Sequence, residues 1–244
     1  RTLEHTATLR LGYEMPVVAA ADPATLTWEG QWENTDAATR GMTRLLIGRR
    51  ADALEETAGA QDALILPCDV GQPDAVDAAF ATLRQRWGRL DVLFNNAGMS
   101  PLYSSLVEVT EDLYDKVLGV NLKGPFRLSA LIGTHMTAKN ADGTVRGGSI
   151  INVSSIASQR PSPNEVIYGA AKAAVNNLTM GLARTFAPHV RVNCIVPGPF
   201  LTDISKAWDM ERFNKAAKSG YMLQRGGEPR EIVGAALYLA SDAS

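Results

Sequence analysis

Tyr168 and Lys172 stand four residues apart in the run Ser154–Lys172, SSIASQRPSPNEVIYGAAK. On a helix that interval puts both side chains on one face, one turn apart. Pro163 and Asn164 punctuate the start of such a helix, Glu165 sits in its first turn, and Ala170, Ala171, Ala173 and Ala174 favour it. Ser155 lies thirteen residues before the tyrosine, after a run from Ser149 to Ser154 that reads as a buried strand. A free phenol has a pKa of about 10 and is a poor base near neutrality. A neighbouring ammonium lowers it by roughly 1–3 units, into range for general acid–base work. A serine hydroxyl can meanwhile hold a carbonyl or alcohol oxygen in place. Y-x-x-x-K also occurs by accident on helix surfaces, so its weight depends on the serine and on the elements that position all three.

Those elements follow from the pattern of the whole chain. Its 244 residues suit one α/β domain large enough to bury a substantial core. A formal net charge of −2 without a basic patch gives no reason to expect nucleic acid. Cys68 and Cys194 both lie in apolar, strand-like runs and read as small core residues in a reducing compartment. With His5, His135 and His189 scattered and no C-x-x-C, no metal site is expected. No 18-residue apolar run suggests a membrane span, and Arg1–Arg10 has no signal-peptide pattern, so the expected location is cytoplasmic.

Residues 1–43 are the least regular, with one short strand candidate at Pro16–Ala21. From there strands are expected at Leu45–Ile47, Asp62–Leu66, Leu90–Phe94, Ser149–Val153 and Val190–Val196. Between them the spacing predicts helices over Ala51–Ala58, Pro73–Trp87, Glu111–Ala138 and Glu165–Phe186, then Phe200–Gly220 and Glu228–Ala240. Alternating strands and helices mean right-handed crossovers and a parallel sheet covered on both faces. In such sheets ligands bind outside the carboxyl ends of the strands. The small and polar clusters Gly48-Arg49, Asp69, Asn95–Gly98, Ser154-Ser155 and Pro197-Gly198 all fall at those ends. The expected fold class is therefore a single-domain, Rossmann-type doubly wound sheet.

Asn95-Asn96-Ala97-Gly98 reads either as a turn or as a place where backbone passes close to a ligand. Asn121 lies inside an apolar helix, where its amide must find partners; Gly119 and Gly124 favour a local irregularity. Arg49 follows a strand that ends without a carboxylate, which suits a 2′-phosphate better than a 2′-hydroxyl, though a solvated charge pair reads equally. Beyond Pro197-Gly198-Pro199 the apolar residues Phe200, Leu201, Ile204, Trp208, Met210, Phe213 and Met222 read either as a lid at residues 199–222, which is preferred, or as core residues of a surface helix.

In this order, Asp69, Asn95-Asn96-Ala97-Gly98, Asn121, Ser155, Tyr168-x-x-x-Lys172, Pro197-Gly198 and Thr202 resemble the short-chain dehydrogenase/reductase family, with the likeness running from about Arg44 to the C-terminus. The resemblance implies an oxidoreductase moving a hydride between a nicotinamide cofactor and a secondary alcohol or ketone, similar to the 3-oxoacyl reductases and secondary-alcohol dehydrogenases of the family. By that resemblance Tyr168 exchanges the proton, Lys172 lowers its pKa and binds the nicotinamide ribose, and Ser155 holds the substrate oxygen. Asn121 supports a water leading to Lys172. Asn95, Ala97 and Gly98 line the adenosine side, Asp69 and Val70 the adenine, and Pro197, Gly198 and Thr202 the nicotinamide. Arg49 points to NADP(H) over NAD(H), and a homodimer or homotetramer is expected.

Two departures stand against this. The family's glycine-rich turn lets backbone approach the pyrophosphate at a helix N-terminus. Here the equivalent stretch reads PVVAAADPATLTWEG, with Pro23 and Trp28 where glycines are expected. The chain also ends at Ser244, soon after the last expected helix, so both ends look altered. The alternative expectation is a protein that keeps the fold, binds dinucleotide poorly and serves a structural or partner-binding role.

Overall fold

The computed structural model describes residues 44–48, 63–202, 205 and 208–244. The strand expected at 16–21, the helix expected at 51–58, the PVVAAADPATLTWEG stretch and Arg49 lie outside the described residues. Short apolar runs form β1 (Arg44–Gly48), β2 (Ala63–Pro67), β3 (Val92–Asn95), β4 (Gly148–Val153) and β5 (Val190–Ile195). All the pairings are parallel: β1 with β2, and β3-β4-β5 in that spatial order. The register sets Phe94 beside Ile151 and Ile151 beside Asn193. Parallel neighbours require crossovers, and helices supply them.

Helix α1 (Pro73–Trp87) has the expected limits for a local reason. Pro73 occupies its first turn, where a missing N–H costs nothing, and Gly88 ends it at φ 70°, its N–H donating to Arg84 O. Val76, Ala79 and Leu83 form its buried stripe. The single helix expected over 111–138 is instead three pieces. Helix α2 (Glu111–Leu118), capped by the Thr110 hydroxyl, runs into a π turn at Gly119–Lys123, and α3 (Gly124–Met136) continues from it. A π bulge inserts a residue and frees backbone groups, often at a functional position. Its centre is Asn121, and its flanks are the two glycines that favoured an irregularity.

Helix α4 (Val166–Phe186) is the long crossover between β4 and β5. Within the stretch expected to be helical, residues 210–220 form α5 (Met210–Gly220). Asp209 stops the helix there, its carboxylate accepting the Arg212 N–H at 3.0 Å. The expected last helix divides into a 3-10 turn at Pro229–Ile232 and α6 (Val233–Ala240).

Two cores result. On one face Ile150, Val190 and Val192 pack with Ile132, Met136, Leu182 and Phe186 from α3 and α4, and with Val76 of α1. On the other, Ile151 and Ile195 pack against Ala236 of α6. Each such buried aliphatic side chain contributes about 1.5–3 kcal/mol relative to exposure. Helices on both faces make this the expected doubly wound α/β sheet.

Candidate active site

The end of β4 and the first turns of α4 are tied together by their own polar groups. Ser154 Oγ donates to Lys172 O at 2.9 Å, and Lys172 Nζ donates to Val153 O at 2.8 Å. The loop after β4 is fixed to the loop after β5, because the Ile156 N–H donates to Pro197 O at 2.8 Å. Ser155 Oγ accepts the Ala157 N–H at 3.1 Å, and its hydroxyl acts to lower the pKa of the Tyr168 phenol. Lys172 Nζ stands 5.7 Å from the centroid of the Tyr168 ring. Ser155, Tyr168 and Lys172 thus converge on one cleft of about 960 Å³, lined also by Asn96, Gly98, Pro197, Gly198 and Thr202.

Electrostatics in this wall are dominated by burial. Lys172, only 3% exposed, is pushed down to about 8 because burial disfavours its ammonium, with the neighbouring Cys194 thiol acting the other way. Burial likewise raises the Tyr168 phenol above its ordinary value; the Ser155 hydroxyl opposes this and the Glu165 carboxylate adds to it. The lowering expected from Lys172 is therefore not what governs the phenol here. At neutral pH the phenol holds its proton and the lysine is mostly cationic.

Asn121 is fully buried, and its amide is spent on protein. Nδ2 donates to Met99 O (2.8 Å) and Val117 O (2.9 Å), while Oδ1 accepts the Met99 N–H (3.2 Å). The side chain locks the Asn95–Met99 loop to the π turn.

The nucleotide-side residues divide. Gly98 reaches the site: a Cβ there would lie 3.2 Å from Asn121 Oδ1 and 3.5 Å from Lys172 Nζ. Asn95, expected at the adenosine, turns its side chain into the protein instead. It donates to Ser129 Oγ (3.0 Å) and Asn152 Oδ1 (2.8 Å), its Oδ1 is buried without a partner, and Asn96 takes the cleft position. Strand alternation explains this: consecutive side chains point to opposite faces. Ala97 packs against the main core. Val70 is a core residue whose carbonyl would lie 2.7 Å from a Cβ on Gly124. Asp69 caps the turn, Oδ1 accepting the Gly71 N–H at 2.9 Å, and lines a second groove beside α2, apart from Tyr168.

Two cleft residues carry no signal in the motif pattern. Glu165 accepts hydrogen bonds from Ser100 Oγ (3.1 Å) and Ser162 Oγ (2.9 Å), latching two loops beside the phenol. Arg160 lines the cleft from the loop after Ser155. Their place in the stretch between serine and tyrosine was the available clue.

A nicotinamide–ribose group fits this wall. Lys172 is a buried donor with two protons beyond the one given to Val153, and a Cβ on Gly198 would meet nothing within 4 Å. A parallel sheet with helices on both faces and a polar cleft outside its carboxyl ends defines a Rossmann-type α/β protein. Residues 36–244 match the family model described as enoyl-(acyl carrier protein) reductase. The chain belongs to the short-chain dehydrogenase/reductase family. It is 34% identical over 177 residues to dehydrogenase/reductase SDR family member 4 of Pongo abelii, covering 72% of this chain and 62% of that relative's length. Among solved structures it is similar to the gluconate 5-dehydrogenase of Burkholderia cenocepacia in complex with NADP and tartrate (30% identity, TM-score 0.70, covering 82% and 78% of the two chains). The 3-ketoacyl-(acyl-carrier-protein) reductase of Brucella melitensis, complexed with NADH, is similar to the same degree (27% identity, TM-score 0.70, 81% and 80%). Among the described residues no helix is long and apolar enough to cross a membrane.

Proposed function

We propose that this chain is an NAD(P)-dependent oxidoreductase that interconverts a secondary alcohol and a ketone, with Tyr168 as the general acid and base. The observation that carries the reading is the convergence of Ser155, Tyr168 and Lys172 on one cleft. In the reductive direction Ser155 and Tyr168 hold the carbonyl oxygen, and the phenol gives it the proton as the carbon gains a hydride. Reduced nicotinamide, when bound, supplies that hydride. The Lys172 ammonium stabilises the phenolate left behind, and solvent returns the proton. Reduction consumes a proton and oxidation releases one, so a protonated phenol suits the reductive direction near neutrality.

Asn121 acts by holding Gly98 and Met99 against the lysine. NADP(H) is proposed over NAD(H) on the arginine at position 49; one similar structure carries NADP and another NADH, so the relatives leave both in play. Residues 199–222 are proposed as a lid, supported by Trp208, Phe213 and Tyr221 on the cleft wall. A homo-oligomer built on α2, α3 and α4 is proposed from the exposed Tyr114, Phe126, Val166 and Met180.

Tyr168→Phe tests the chemistry. Ketone reduction is expected to fall by about 10²–10⁴-fold with the circular dichroism spectrum unchanged; unaltered turnover overturns the assignment. Fluorescence titration with NADPH and NADH separates this reading from a non-catalytic fold, which the absent glycines of the N-terminal stretch would favour. Saturable binding supports the enzyme, and its absence supports the alternative.

A further inference from the structure

The loop between Ser155 and α4 is clamped along its length. Ile156 N–H is held by Pro197 O, and the Arg160 N–H donates to Ile156 O at 2.9 Å. The far end is pressed on the catalytic helix: a Cβ on Gly169 would lie 2.8 Å from Ala157 O and 2.9 Å from Pro161 Cβ. Arg160 is thus carried on a rigid support one residue from that contact, and it lines the same cleft as Tyr168 and Lys172.

Its charge is uncommitted. Among the described residues two carboxylates line the cleft: Glu165 has one oxygen bonded to Ser100 and the other to Ser162, and Glu228 caps the 3-10 turn Pro229–Ile232. Nearby, Arg225 pairs with Glu231 at 2.7 Å. Among the described residues no carboxylate is bonded to the Arg160 guanidinium, which is exposed to the cleft. Opposite polar ground, Trp208 and Phe213 form an aromatic wall, their ring centroids 5.0 Å apart. A cleft with a proton donor, an apolar wall and a guanidinium on a braced loop fits a substrate with a reacting carbonyl, a short carbon chain and an anionic end; Arg230, in the 3-10 turn Pro229–Ile232, lines the same cleft. A guanidinium presents two parallel N–H groups that match the two oxygens of a carboxylate.

We infer that Arg160 selects oxo acids and hydroxy acids as substrates by pairing with their carboxylate. The inference rests on the oxidoreductase reading for the carbonyl end. Recognition itself is a binding property and is measured separately.

The experiment compares acetoacetate, 4-oxopentanoate and 5-oxohexanoate with their methyl esters, using the full chain and NADPH or NADH. These pairs keep the carbonyl and change the charge, and the series varies the spacing to Arg160. The wild-type protein is expected to prefer at least one acid over its ester in kcat/KM. Arg160→Leu should lower that acid-to-ester ratio roughly tenfold, the loss lying in KM, since a charge-assisted pair at an exposed site is worth about 1.4 kcal/mol. Arg160→Lys should recover part of it, and Arg160→Glu should favour the ester. A ratio that is the same in Arg160→Leu overturns the inference, as does a wild-type protein with no acid preference. Weaker NADPH or NADH binding in Arg160→Leu, with the ratio intact, also overturns it and assigns the guanidinium to the cofactor. Ligand-observed NMR with the three acids keeps the two readings apart. Acid binding lost in Arg160→Leu, in a protein that reduces no ketone, supports the inference and discards the reductase. Esters reduced without acid binding do the reverse.

Discussion

The wall of the cleft and its mouth are built by opposite means. In the wall, polar groups from separate elements bond each other across the core: Asn95 to Ser129 and Asn152, Asn152 Nδ2 to Thr179 Oγ1 at 2.9 Å, Ser154 to Lys172, and Lys172 back to Val153. Such a network is worth having only when nearly every member is satisfied, and it then fixes one geometry. In the mouth, residues 199–222, the bonds are mostly local: Thr202 N to Phe200 O, Ser205 N to Thr202 O and Trp208 N to Ser205 O. Backbone pairing anchors the segment at Gly227, which accepts from Leu201 and donates to Pro199. Ring contacts also join Trp208 to Phe213 and Phe213 to Tyr221. A proton-transfer site needs groups held to within a fraction of an ångström, whereas a substrate entrance needs surface that can yield. The molecule places its polar network at the first and its aromatic packing at the second.

The sharpest way to break the wall is to separate the two helices behind it. A Cβ on Gly133 of α3 would clash with the Cε2–Cζ edge of the Phe186 ring of α4, and Phe186 is buried among the main core residues. Gly133→Ala is therefore expected to destabilise by about 1–3 kcal/mol through overpacking. For a chain of this length that lowers Tm by several degrees, at about 2–4 °C per kcal/mol. Differential scanning calorimetry reads it directly. An unchanged Tm would mean that α3 and α4 slide freely, and the wall would lose its claim to rigidity.

The same division decides what could be read from residues alone. Elements with local punctuation were legible: α1 between Pro73 and Gly88, and the strands β4 and β5 with their apolar runs. The convergence of Ser155, Tyr168 and Lys172 was legible because a strand end and one helix face fix all three. The direction of the Asn95 side chain was not, since alternation says that neighbours diverge and only the sheet register says which one faces inward. The π turn was half legible: Gly119, Asn121 and Gly124 flagged an irregularity inside 111–138, but apolar spacing alone ran one helix through it. Helical composition runs from 200 to 220, yet α5 starts only after the Asp209 cap. Glu165 and Arg160 lay in plain view between the motif residues; nothing in their spacing distinguishes a cleft residue from a solvated charge.

A second test reads the wall through its lysine. Lys172 has a pKa of about 8 in the folded protein against an ordinary value of 10.5. Between those values the unfolded chain binds more protons than the folded one, so this group makes stability rise with pH. Below about pH 8 both states are protonated, and the full penalty of burying the charge remains. The slope is at most about 1.4 kcal/mol per pH unit. Wild-type stability in urea is therefore expected to climb from pH 8 to pH 9 relative to Lys172→Met, in which this proton is absent. The comparison cancels the raised Cys68 thiol, which both proteins share, and Cys194, which is coupled to Lys172, is replaced by alanine in both. Parallel curves would mean that the lysine is solvated and the cleft wall open to water.

The mouth should respond least in stability and most in substrate affinity. Trp208→Ala removes a tilted contact with Phe213 in a surface segment, a pair worth about 0.5 kcal/mol at the low end of its class. Its Tm should stay within about 1–2 °C of wild type, since so small a loss is diluted over a chain of this length. If residues 199–222 form the proposed lid, the KM for a ketone should rise several-fold while kcat changes little, since Trp208 lines the cleft. A fall in Tm as large as that of Gly133→Ala would make the mouth part of the same cooperative core. The lid would then be a fixed wall, and substrate entry would have to use another face of the cleft.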